Sequence, residues 1–182
     1  MPVLKFQRDN AISWFSAPGD ATTQTQPLLH SWLTDTGLLT VRLRQQCKDG
    51  FRLDVIEDSF TWQPDSNAEK LRRIVLWCGD HACIYAETLL PETTIAEHPW
   101  LKELGDEPLG EALQRRLDVS RGKFEFTLLT PDQLPVDLPA PKDIALWTRR
   151  SEFFIGSTSL SVTEIFLPGI SECLNHRSRS AD

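Results

Sequence analysis

Glu164 stands where a carboxylate needs a reason. It lies in Leu160-Ser-Val-Thr-Glu-Ile-Phe-Leu, whose alternation puts Leu160, Val162, Glu164 and Phe166 on one face of a strand. A charge in an apolar row is costly unless a cation or a ligand pairs it. Leu71-Arg-Arg-Ile-Val-Leu-Trp-Cys poses the complementary case. Arg72 shares a face with Ile74, Leu76 and Cys78, and Arg73 shares the other with Leu71, Val75 and Trp77. Each face holds one arginine, so periodicity leaves open which one points inward. The plain reading of each charge is an internal ion pair or a strand end reaching water, because such networks imitate sites. A glutamate and an arginine buried together also suit a small anion with a hydroxyl group. Arginine offers a planar fork to a carboxylate. Glutamate accepts a hydrogen bond from the hydroxyl, or donates one if burial raises its pKa.

Other catalytic patterns are missing. There is no G-x-S-x-G, no H-E-x-x-H and no glycine-rich phosphate loop. His30, His81, His98 and His176 fall in helical or loop contexts and are expected at surfaces or caps. Cys47, Cys78, Cys83 and Cys173 match no zinc spacing. They are expected as buried thiols, with a Cys78–Cys83 pairing across a hairpin as the alternative. The 182 residues are 40% hydrophobic and 25% charged, an ordinary globular composition. The net charge of −7 repels phosphate backbones, so nucleic acid is not an expected partner. An anionic ligand would then need local arginines to overcome the overall field. No apolar signal core opens the chain and no run approaches a membrane span. A cytoplasmic protein without membrane insertion is expected.

These residues need elements to position them. Pro27 and the stripe Leu28, Leu29, Trp32 and Leu33 predict a helix, and a second follows Gly37 from Leu38 to Gln46. From Phe51 the period changes to two. Strands are expected at 51–56, 71–78, 83–90, 123–129, 145–155 and 160–167, with tight turns at 79–82 and Gly156. Leu109, Leu113 and Leu117 predict a helix over 108–117. Four prolines between 130 and 143 predict a loop. The sum is one α+β domain over 1–182, with a peripheral segment at 1–24 and a frayed tail at 174–182. Its sheet would have one face against helices and the other toward solvent.

Four segments carry a likeness to a known family: Leu71 to Cys78, Pro108-Leu-Gly-Glu-Ala-Leu, Ala145-Leu-Trp-Thr-Arg-Arg-Ser-Glu-Phe and Thr163-Glu-Ile-Phe-Leu-Pro. In order and spacing they resemble the chorismate pyruvate-lyases of bacterial ubiquinone synthesis, from about residue 25 to 170. The resemblance implies a six-stranded antiparallel sheet, helical flaps over an enclosed ligand site, and neither metal nor organic cofactor. It implies chorismate as substrate, 4-hydroxybenzoate and pyruvate as products, and inhibition by retained product. Carried over by position, Arg72 would grip a substrate carboxylate and Glu164 would be the active-site glutamate. Leu109 would contact ligand through its backbone, and Leu39 would line the pocket under a flap. A monomer is expected. One position departs from the pattern: Glu87 stands where the family has an arginine. Either it pairs with another arginine such as Arg73 or Arg149, or the ligand is less anionic, or the site is impaired. A non-catalytic binder of small aromatic acids is the rival reading, because sensor domains of some transcription regulators share this fold. No DNA-binding helices are expected in the first 24 residues.

Overall fold

The computed structural model describes residues 12–19, 27–47, 50–61, 69–135, 138–141 and 143–178. Most of the peripheral segment and the loop around Pro64 to Asn67 lie outside them. Two short helices come first, α1 (Pro27–Leu33) and α2 (Leu39–Cys47). A long meander follows: β1 (Phe51–Thr61), β2 (Glu69–Cys78) and β3 (His81–Pro91). Pro91 closes β3 and opens α3 (Glu92–Glu97), and a 3₁₀ turn at Pro99–Lys102 leads toward α4 (Leu109–Gln114). Then come β4 (Val119–Arg121), β5 (Glu125–Leu129), the hairpin β6 (Leu146–Ile155) and β7 (Thr158–Phe166), and α5 (Gly169–Ser178). That last helix occupies the start of the expected tail.

All pairings are antiparallel, in the order β1-β2-β3-β7-β6, and both β4 and β5 lie along the outer side of β6. The six expected lanes are therefore present, but the last is filled by two strands. The break falls at residues 122–124, where the Gly122 amide still bonds to the Glu152 carbonyl. Gly79 and Gly156 turn the two hairpins at φ +57° and +56°, a region that side chains disfavour.

Two expectations about extent are corrected. The helix read over 108–117 stops at Gln114, and Leu117 is fully exposed rather than part of an apolar stripe. The chain has to leave the helix there to reach the sheet edge as β4. The second face of the sheet is also not open to solvent over its whole area. Leu134 and Leu138 of the proline-rich segment cover Val75, Tyr85, Leu129, Leu146 and Ile165.

The first face is covered by helices in two separate blocks. Trp32, Leu33, Leu39 and Leu43 from α1 and α2, with Ile170 of α5, pack on Leu76, Ile84, Phe126 and Phe166. Ile95, Leu101, Leu104, Leu109 and Leu113 pack on Leu90, Phe153, Ile155, Leu160 and Val162. Between these blocks the sheet carries charge.

Candidate active site

Strand register assembles the charged strip. Arg72 of β2 lies beside Thr88 of β3, Thr88 beside Val162 of β7, and Glu164 beside Arg149 of β6. Arg72 and Glu164 thus share a face, two strands apart and two residues along. From sheet geometry their Cα atoms are separated by roughly 12 Å. Arg72 and Glu164 lie on one face of the sheet, and Leu39 and Leu109 belong to the two apolar blocks on that face.

Arg72 is 2% exposed. Its Nη2 donates to the Gly105 carbonyl at 2.7 Å and the Glu107 carbonyl at 3.2 Å, in the loop that leads into α4. Its Nη1 reaches Asp58 at 3.4 Å, while Lys70 holds the other oxygen of Asp58 at 2.8 Å. Burial lowers the Arg72 pKa from its ordinary value, against the pull of Asp58 and Asp106.

Glu164 has two cations on one oxygen. Arg149 Nε donates to Oε2 at 2.6 Å and Arg121 Nη2 at 3.3 Å. Among the described residues no hydrogen bond engages Oε1, so that oxygen is available to an incoming hydroxyl. Arg149 has no exposed surface, and its Nη1 donates to the Trp32, Leu33 and Asp35 carbonyls that end α1. Arginine there satisfies helix-end carbonyls that would otherwise be buried without donors. Arg121 bonds through Nε to Ser151 Oγ at 2.9 Å, and its guanidinium lies over Phe124 and Phe153. Burial lowers the Arg121 pKa, and neighbouring Arg149 lowers it further, against the pull of Glu164.

Sequence reading missed both of these arginines as site residues. Arg149 was legible, since Trp147, Arg149, Ser151 and Phe153 form one alternating row with a charge in it. Arg121 was not, because a strand of three residues shows no period.

The two helices that begin with Leu39 and Leu109 meet each other. Leu39 begins α2 and Leu109 begins α4, and both are buried. A methyl group at Gly110 would come within 2.9 Å of Leu38 Cδ2, and Arg44 of α2 pairs with Glu111 of α4 at 2.9 Å. The exposed ion pair contributes about 0–1 kcal/mol. Burying each leucine contributes about 1.5–3 kcal/mol, so apolar contact is the main force closing the flaps.

Glu87, at the position where the resemblance leads one to expect an arginine, pairs with Arg73. Period-two alternation turns it away from Arg72 and Glu164 to the opposite face. There Glu87 Oε2 accepts from Arg73 Nε at 2.9 Å, and Arg73 Nη1 reaches Glu57 at 2.9 Å. Both members of the Arg73–Glu87 pair are buried. Of the three open explanations, pairing with Arg73 is the one observed, and Arg149 is committed to Glu164.

The cysteines also correct the sequence reading. Cys78 is bonded to Cys47 at the end of α2, not to Cys83. Cys83 lies 3.5 Å from Cys173 as a thiol pair. Among the described residues no cluster of three or more His, Cys, Asp or Glu is placed to hold a metal, and no helix is long and apolar enough to cross a membrane.

Residues 9–174 match the family model for chorismate lyase. A probable chorismate pyruvate-lyase of Hydrogenovibrio crunogenus is 32% identical over 76% of this chain and 81% of its own length. Another from Shewanella frigidimarina is 29% identical over 94% of this chain and 96% of its own. Among solved structures, a GntR-family transcriptional regulator from Bacillus cereus superposes with a TM-score of 0.50 at 14% identity. It covers 65% of this chain and 92% of that one, which shows a shared fold and nothing further.

Proposed function

The chain belongs to the chorismate lyase family, and from that premise we propose that it converts chorismate to 4-hydroxybenzoate and pyruvate for ubiquinone synthesis. The observation that carries the reading is one strip between two helix-covered apolar blocks, with Arg72 at one end and the Arg-flanked Glu164 at the other. This suits a ring with a carboxylate at one end and a hydroxyl para to it.

In this reading Arg72 takes the ring carboxylate, exchanging a loop carbonyl for a charged acceptor. Glu164 Oε1 accepts the ring hydroxyl and fixes the ring in the strip. The C3–O ether bond breaks, the C4 hydrogen leaves, and enolpyruvate gains a proton to become pyruvate. The ring becomes aromatic, which supplies much of the driving force. The protein then mainly positions the reactant, stabilises the departing oxygen and excludes water. Leu39 and Leu109 close the space, so slow product release and product inhibition are expected. The reaction as written needs no metal or organic cofactor. We place it in the cytoplasm, with the protein as a monomer.

The test is incubation with chorismate and chromatography of the products. Equimolar 4-hydroxybenzoate and pyruvate are expected, with turnover reduced at least about tenfold in Glu164→Gln and in Arg72→Ala, roughly 1.4 kcal/mol or more. A folded protein that binds 4-hydroxybenzoate but leaves chorismate intact would instead be an aromatic-acid binder on this scaffold.

A further inference from the structure

Arg149 keeps one donor in reserve. Nε and Nη1 are engaged, but Nη2 is buried with no hydrogen-bond partner among the described residues. A buried guanidinium N–H without an acceptor is costly, and native structures leave few of them. Planarity fixes where it points: Nη2 lies on the Nε side of the guanidinium fork, beside the bond to Glu164. Phe124 lies against the guanidinium plane, with Phe166 more distant. Arg121 stands at the same place and also touches Glu164. Its guanidinium bonds the same carboxylate oxygen that Arg149 Nε holds.

We infer that Arg149 Nη2 and Arg121 form a second carboxylate pocket that holds the enolpyruvyl carboxylate of the substrate, a role distinct from that of Arg72. This rests on the lyase reading above and follows from ring positions. The enolpyruvyl ether sits on the carbon next to the hydroxyl carbon. A hydroxyl on Glu164 therefore brings the second carboxylate to the Glu164 end, where Arg149 and Arg121 are. Both cations also lie where negative charge develops as enolpyruvate departs. They act on the substrate and the leaving group, and the aromatic product has no group for this pocket.

The experiment compares two inert ligands that differ at this carboxylate: 3-(carboxymethoxy)-4-hydroxybenzoate and 3-methoxy-4-hydroxybenzoate. Calorimetric titration of the wild type should favour the diacid at least tenfold. Arg121→Gln should remove most of that preference, lowering affinity for the diacid several-fold more than affinity for the methoxy compound. Arg149→Lys, which keeps the charge near α1 but loses the planar fork, should lower the preference in the same way. Arg149→Gln is avoided as the first test because Arg149 also ties down the end of α1. A wild type that does not prefer the diacid, or a preference that persists in both variants, overturns the pocket. Chorismate turnover is measured separately. Preference for the diacid without turnover removes the lyase reading and leaves a dicarboxylate site.

Discussion

Glu87 and Glu164 are both glutamates inside the same sheet, and one residue of offset gives them opposite surroundings. Glu164 meets two arginines on the helix-covered face, whereas Glu87 meets Arg73 on the other. Glu87→Arg would place a second guanidinium against Arg73, which keeps Glu57 as its other acidic partner. Leaving like charges buried and uncompensated typically costs several kcal/mol. Glu87→Arg is therefore expected to lower stability by about 3 kcal/mol or more in denaturant titration, without improving chorismate turnover. A stable variant with raised activity would show that Glu87 faces the substrate after all. Strand alternation was enough to find Glu164, and it leaves Glu87 and Glu164 on opposite faces only once the β3–β7 register is known. That register is a tertiary fact, which explains why Glu87 read as a threat to the site from sequence.

At the level of elements, the flap helix α2 is held at both ends. Its first residue, Leu39, is buried in the apolar block with Leu76, Ile84 and Phe166, and its last, Cys47, is bonded to Cys78 at the end of β2. Closing a loop of 31 residues removes denatured-state entropy worth about 3–4 kcal/mol. Cys47→Ser is expected to lower the unfolding free energy by that order, seen as a lower denaturation midpoint, and, on the proposed lyase reading, to speed product release. An unchanged midpoint would mean that the bond contributes little to stability. The α1–α2 connection carries a second restraint. Burial pushes the Asp35 carboxyl up, but the Gly37 amide and Arg42, with Arg149 nearby, outweigh it and hold its pKa below the usual value of 3.8. A lowered acid pKa contributes stability that is complete above the unfolded value and lost as pH falls through the folded one. The connection should therefore loosen below about pH 3.8, seen as faster exchange of the Gly37 amide, and Asp35→Asn should abolish that pH dependence. The helices α1 and α2 were legible because apolar residues recur at helical spacing. The disulfide was not, because the partners are joined by a fold that brings the end of α2 to the end of β2.

At the scale of the whole molecule, composition and alternation were sufficient for an antiparallel α+β domain, and six lanes were counted correctly. The seventh strand was hidden because β4 has three residues and shares its lane with β5. Coverage of the second face was also hidden. The proline-rich segment has no period, and its leucines cannot be assigned to a face until the chain is seen to cross beneath β7 and β6.

The seam between β3 and β7 has a kinetic meaning. Each flanking hairpin pairs residues close in the chain, but Ile84 meets Phe166 and Leu89 meets Ser161 across most of the domain. Such non-local pairing closes a long loop, and its entropy must be lost before the contacts compensate. Arg72 belongs to the meander on one side of this seam. Glu164, Arg149 and Arg121 belong to the other. Neither half holds both ends of the strip, so a chain with both hairpins formed but undocked carries no complete ligand site. Recovery of ligand binding during refolding then reports the docking of the two halves, a step that backbone spectroscopy of either hairpin would not register.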